Sequence, residues 1–122
     1  MELPPFVVTE TRANERPWRY AEAEASFRSA LGAGLDDTIT YYNLGLLMAR
    51  TGRPDAAVRE YERALALDPQ HSDARSNLAA VLASKGDLAR ASAELERVLT
   101  YDPENALVRT NLGLVWLQQG RR

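Results

Sequence analysis

The same kinds of side chain return every 34 residues, in one register, along most of this chain. Leu44 aligns with Leu78 and Leu112, Gly45 with Ala79 and Gly113, and Gly52 with Gly86 and Gly120. In the second half of the unit, Ala23, Ala57 and Ala91 coincide, as do Phe27, Tyr61 and Leu95. Ala30, Ala64 and Val98 follow, then Leu31, Leu65 and Leu99, and then Asp68-Pro69 over Asp102-Pro103. Agreement at so many positions under one offset identifies a repeat array. In such an array each unit is a small element that cannot bury its own apolar face, and neighbours stacked on it complete the core.

Each unit reads as two helices. The complete unit Thr38–His71 has Asp36 and Asp37 as capping candidates, a first helix over roughly 38–51 and Gly52 as its stop. Its second helix spans roughly Pro54 to Leu67, with Pro54 acceptable in the first turn and Asp68-Pro69 ending it. The next unit places helices over Ser72 to Lys85 and Leu88 to Tyr101, separated by Gly86 and Asp87. A last helix of the first type is expected over about Asn105 to Gln119, stopped by Gly120. Ahead of these, Tyr20, Ala23, Phe27, Ala30 and Leu31 recur at spacings of three and four, a helix of the second type beginning at Pro17. Turns of about three residues force such hairpins to pack antiparallel. The chain thus divides into a half repeat (17–37), repeats 38–71 and 72–105, and a half repeat (106–122). Residues 1–16 fit no unit; Pro4-Pro5 opposes a helix start, and the segment reads as an extended or disordered arm, with Phe6 to Val8 able to pin onto an apolar helix face.

Slots Tyr41, Leu44, Gly45, Met48, Ala57, Tyr61 and Pro69 follow the pattern W-x₂-L-G-x₂-Y…A-x₃-F…P at a period of 34. On these residues the chain resembles the tetratricopeptide repeat family over Pro17 to Gly120. Arg75 and Arg109 depart from it where the first aromatic is expected, and Trp18 stands in the slot of the turn glycine. The resemblance implies an all-α fold, a right-handed α-solenoid of about six helices. It also implies a scaffold that binds a protein or peptide in a concave groove, not an enzyme.

Composition narrows the functions further. A net charge of -2 and a pI near 5.4 leave no basic footprint for nucleic acid. There is no cysteine, and the single histidine, His71, falls in a turn between units with no second ligand near it in sequence, so neither a metal nor a cofactor site is expected. No apolar run is long enough for a membrane span, and the N-terminus lacks the basic and apolar regions of a signal peptide. A cytoplasmic protein is the expectation. Glu22, Glu24, Glu60, Glu62, Glu94 and Glu96 sit among arginines at spacings expected for exposed faces.

At about 100° per residue, Tyr41, Leu44, Gly45 and Met48 form the core arc of the first helix. The opposite arc, expected to face the groove, holds Ile39, Tyr42, Asn43, Leu46 and Arg50. The same slots hold Asp73, Ser76, Asn77 and Ala80 in the next unit, and Leu107, Thr110, Asn111 and Leu114 in the last. Asn43, Asn77 and Asn111 recur at 34 and resemble the asparagine ladder of the tetratricopeptide superhelix in O-linked N-acetylglucosamine transferase, where amides can hold an extended backbone. The preferred alternative is an asparagine that bonds a neighbouring helix or water. Family members that clamp acidic C-termini use lysine and arginine in these slots, and here only Asn43 matches, so no such clamp is expected.

Tyr42 and Leu46 at one end, and Leu107, Leu114 and Leu117 at the other, suit apolar anchors of an extended or helical segment. For Leu114 and Leu117 packing against neighbouring helices is preferred. Two other functions compete. Leu112, Val115 and Trp116 on the last helix lack the partner helix that would cover them, which would make the chain a homo-oligomerisation module. The chain could also be a regulatory fragment of a larger enzyme.

Overall fold

The computed structural model describes residues 18–120, so the arm expected over 1–16 lies outside the described residues. Six helices follow one another: α1 (Trp18–Gly32), α2 (Thr38–Arg50), α3 (Pro54–Leu67), α4 (Ser72–Ser84), α5 (Leu88–Tyr101) and α6 (Ala106–Gln118). They form an all-α solenoid with no strand among the described residues. Each helix packs on the next in sequence, and α2 also touches α4, so the first helices of successive units run side by side.

The boundaries are set by the residues at the ends. Gly52 and Gly86 take φ of 76° and 89°, a left-handed conformation that glycine adopts without a Cβ clash. There Arg53 N–H donates to the Met48 carbonyl at 2.8 Å and Asp87 N–H to the Leu82 carbonyl at 2.9 Å, closing the same C-cap in both units. At the N-termini, Asp37 and not Asp36 caps α2, accepting from Thr40 N–H at 2.7 Å, and Asn105 caps α6, accepting from Val108 N–H at 3.0 Å. His71 takes the equivalent place at α4. Its Nδ1 accepts from Ala74 N–H at 3.0 Å, which fixes the proton of the neutral ring on Nε2.

The core is one cluster running from Tyr42 to Val115. A close contact within it joins α2 and α3, where the ring of Tyr61 lies against the backbone of Gly45. A Cβ added at Gly45 would stand 2.5 Å from Tyr61 Cε1. Glycine is therefore required at this crossing, and the ring, 1% exposed, fills the space a side chain would take. One unit on, the equivalent pair is Ala79 and Leu95, a slightly larger residue opposite a smaller one, both buried. Gly113, in the same slot of α6, has nothing within 4 Å of an added Cβ.

Three expectations are corrected. Glu60 is 4% exposed, with Arg63 at 3.1 Å, and Glu24 and Glu94 are half-buried, so these three do not lie on exposed faces. Arg75, in place of the first aromatic, is buried: its guanidinium donates to Glu94 Oε1 at 2.6 Å, to Tyr101 Oη at 3.2 Å and to the Pro69 carbonyl at 2.9 Å. A carboxylate at that slot of α5 is the counterion of a buried arginine, and the pair with its added hydrogen bonds replaces the packing of an aromatic ring. On α6, Leu112 and Val115 are buried and Trp116 half-buried, while Leu107, Leu114 and Leu117 stand 66%, 54% and 70% exposed. Packing against α5 claims the Val108, Leu112, Val115 stripe, which leaves the leucines on the other side of the helix in solvent.

The two glycines make opposite predictions in urea unfolding. Gly45→Ala should destabilise by about 1–3 kcal/mol because the ring of Tyr61 cannot retreat from a packed core. Gly113→Ala should stabilise by up to about 1 kcal/mol through helix propensity alone. Equal midpoint shifts for the two would contradict this packing.

A concave groove as the candidate functional site

First-type helices α2, α4 and α6 line one side of the stack. Between them runs a depression of about 680 Å³, bordered by Tyr42, Leu46, Ala49 and Arg50 from α2 and by Asp73, Ser76, Asn77 and Ala80 from α4. Leu107 and Asn111 of α6 close the far side. A second hollow of about 340 Å³ adjoins it between α4 and α6, over Ser76, Ala80, Ala83, Asn111 and Leu114. The floor is made of small side chains because α2 and α6 stand apart across α4, and Ser76 and Ala80 leave the space between them open. Leu46 and Leu107 stand at the edges, and the ring of Tyr42 is buried behind the α2 side.

Of the thirteen residues assigned to the groove from the sequence, ten border these two hollows: Tyr42, Leu46, Arg50, Asp73, Ser76, Asn77, Ala80, Leu107, Asn111 and Leu114. Ile39 and Thr110 are exposed but lie outside them. Asn43 is 8% exposed, borders neither, and its Oδ1 has no hydrogen-bond partner. The expected arc is too wide because α2 is flanked by α1, α3 and α4, which together bury Thr40, Asn43 and Leu47 as well as the core face. Of this arc, a strip through Leu46, Ala49 and Arg50 opens onto the groove, with Tyr42 beneath it. Asn105, Val81 and Val108 also line the groove. The first is the cap of α6, a place that a purely helical count passes over.

No continuous row of asparagines forms. Asn43 is buried, and Asn77 Nδ2 donates to Tyr42 Oη at 3.1 Å across α2 and α4. Asn111 borders both hollows.

Tyr42 organises this part of the wall. Its ring is tilted 42° against His71 at 5.1 Å and 45° against Tyr61 at 6.2 Å, both within the range of favourable aromatic pairs. The residue is 3% exposed. Burial pushes its phenol up to about 12, helped by the nearby Asp73 carboxylate and opposed by the Asn77 hydrogen bond. Arg50 and Asp73 bring one charge of each sign to the rim, so the groove has no strong preference for an acidic or a basic ligand.

A family model described as Tetratricopeptide repeat matches residues 48–110, more than half of the chain, and a second of the same description matches residues 19–72. Among solved structures, the tetratricopeptide protein YrrB, described as having an unusual peptide-binding site, is 29% identical with a TM-score of 0.75, over 85% of this chain and 54% of that one. The thermophilic tetratricopeptide protein TTC0263 of Thermus thermophilus is 25% identical with a TM-score of 0.76, over 84% of this chain and 55% of that one. The secretion chaperone SycD of Yersinia enterocolitica, solved with a peptide of the translocator YopD, is 20% identical with a TM-score of 0.75, over 83% of this chain and 82% of that one, and shares the fold. The chain spans little more than half the length of the first two. No curated protein matches it.

The titration of Tyr42 gives a pH prediction. Its folded pKa lies above the ordinary 10.0, so above pH 10 the unfolded chain loses this proton first and stability falls as pH rises from 10 towards 12. Tyr61, raised by burial, adds to the same trend. Urea midpoints measured between pH 8 and 12 should decline above 10, and Tyr42→Phe should shallow the decline; an unchanged slope would contradict the burial of this phenol. The two family models and the repeat register agree that this chain belongs to the tetratricopeptide repeat family.

Proposed function

We propose that this chain is a protein-interaction scaffold whose concave groove takes an extended or helical segment carrying apolar side chains. The observation that supports this best is the open hollow of about 680 Å³ between α2 and α6, with a floor of Ser76 and Ala80 and the apolar side chains of Leu46 and Leu107 at its edges. Such a surface gains affinity by burying a partner's apolar side chains in a site that is already formed, so little ordering cost falls on the scaffold. The chain works by holding that surface in place and performs no covalent step. The likeness to YrrB, whose description names a peptide-binding site, agrees with this mode.

The small floor is the element to test. A peptide selected by display against the intact chain should lose at least about tenfold in affinity to Ala80→Arg, which fills the floor with a good helix former. Ala93→Arg, on the exposed side of α5, should bind as the parent does. Equal binding by both variants would overturn the groove as the site.

A further inference from the structure

Charge is balanced over the whole groove but not at each end of it. Among the described residues, Asp73 is the one carboxylate that borders either hollow, and Arg50 the one cation. Arg50 occupies the slot of Ser84, eleven residues further along the repeat than Asp73, or about 16 Å at 1.5 Å per residue. That exceeds the screening length of about 8 Å at physiological salt, so the two charges do not neutralise one another. Asp73 is exposed and forms no hydrogen bond or ion pair among the described residues. It stands close enough to Tyr42 to oppose ionisation of that phenol.

The groups around Asp73 suit a cation. Asn77 lies one turn on, four residues along the same face of α4. Its Nδ2 is committed to Tyr42 Oη at 3.1 Å, which leaves Oδ1 with no donor among the described residues. A carboxylate and an amide oxygen on adjacent turns make two acceptors with no N–H to satisfy them. A guanidinium, whose N–H donors form a planar fork, can serve both. Across the groove Leu107, 66% exposed, offers an apolar surface to the aliphatic stem of such a side chain. The acid is peculiar to this repeat, because the equivalent slots of α2 and α6 hold Ile39 and Leu107.

We propose that the segment bound in the groove carries an arginine that pairs with Asp73 and Asn77, beside the apolar side chain seated over Ser76 and Ala80. This pairing presupposes that the groove is the ligand site, and it adds the chemistry that decides which segment enters. Ser76 lies three residues and Ala80 seven residues beyond Asp73, about 4.5 and 10 Å along α4. Side chains two apart on an extended chain stand about 7 Å apart on one side, between those two distances. The recognised pattern is an arginine two positions from a bulky apolar residue.

Two display selections, one on the intact chain and one on Asp73→Lys, read the pairing directly. Peptides from the first should be enriched in arginine two positions from a bulky apolar residue, and peptides from the second in glutamate at that place. A fluorescein-labelled peptide from the first selection, followed by anisotropy, should bind Asp73→Asn about threefold more weakly and Asp73→Lys about tenfold or more weakly. With glutamate in place of its arginine, it should bind Asp73→Lys better than the intact chain. Circular dichroism establishes that both variants are folded, and Asp73→Asn serves if Asp73→Lys is not. Ala80→Arg separates the pairing from the groove. Loss of binding in Ala80→Arg, with both Asp73 variants binding as the intact chain does, would leave the groove standing and overturn the pairing. Selected peptides without enrichment in arginine would overturn it as well. Unchanged binding in Ala80→Arg, or selections that return no saturable binder, would overturn the groove and the pairing together.

Discussion

The seating of the Tyr61 ring on Gly45 sets how close α2 and α3 can lie, and much of the structure follows from that distance. With the ring buried at this crossing, α3 presents Ala57, Ala64 and Leu65 inward in one register, and α4 packs onto the hairpin they complete. The same ring reaches Tyr42, so it also supports the wall of the groove from behind. A single close approach thus links hairpin geometry, stacking of the units and the shape of the concave side. A β-branched or larger residue at position 45 would push the two helices apart and tilt every unit that follows.

Polar groups secure the stack where the apolar core thins out. The Arg75 cluster ties the start of α4 to two turns of α5 and to the loop before it, with each of its three nitrogens engaged. Such a cluster is sensitive to the loss of any member, because the remaining charge would be left buried and unpaired. Two pairs nearer the surface, Arg53 of the α2–α3 turn with Glu24 of α1 at 2.9 Å and Arg90 of α5 with Glu62 of α3 at 2.6 Å, are screened by solvent, and each contributes about 1 kcal/mol at most. Stability therefore rests on packing and on the buried Arg75 cluster more than on the surface charges.

The fold is legible in the sequence because a 34-residue period repeats both apolar slots and stop signals: Gly52, Gly86 and Gly120 all occupy the left-handed C-terminal position expected of them. Most of the groove is legible for the same reason, since slots 42, 46, 76, 77 and 80 fall on one side of their helices. What a periodic count cannot supply is how many neighbours each helix has. Asn43 looks open on a helical wheel and is closed because α2 is packed on three sides, whereas Leu114 and Leu117 look packable and are exposed because α5 covers only one side of α6. Glu60 and Glu94 read as surface charges in sequence because a helical count gives spacing and not burial: it places Arg63 beside Glu60 without showing that Glu60 is covered, and the partner of Glu94, Arg75, lies on α4, nineteen residues away.

The central claim is that ligand occupies the side of the stack lined by α2, α4 and α6. It is tested most directly by paramagnetic relaxation in the amide NMR spectrum, using a selected peptide that carries a nitroxide at its centre. Broadening should be strongest at Leu46, Ala80 and Leu107, which border the groove, and should spare Arg59 and Ala93 on the outer helices. Broadening centred on those outer helices, or confined to the Arg109 end of α6, would contradict it.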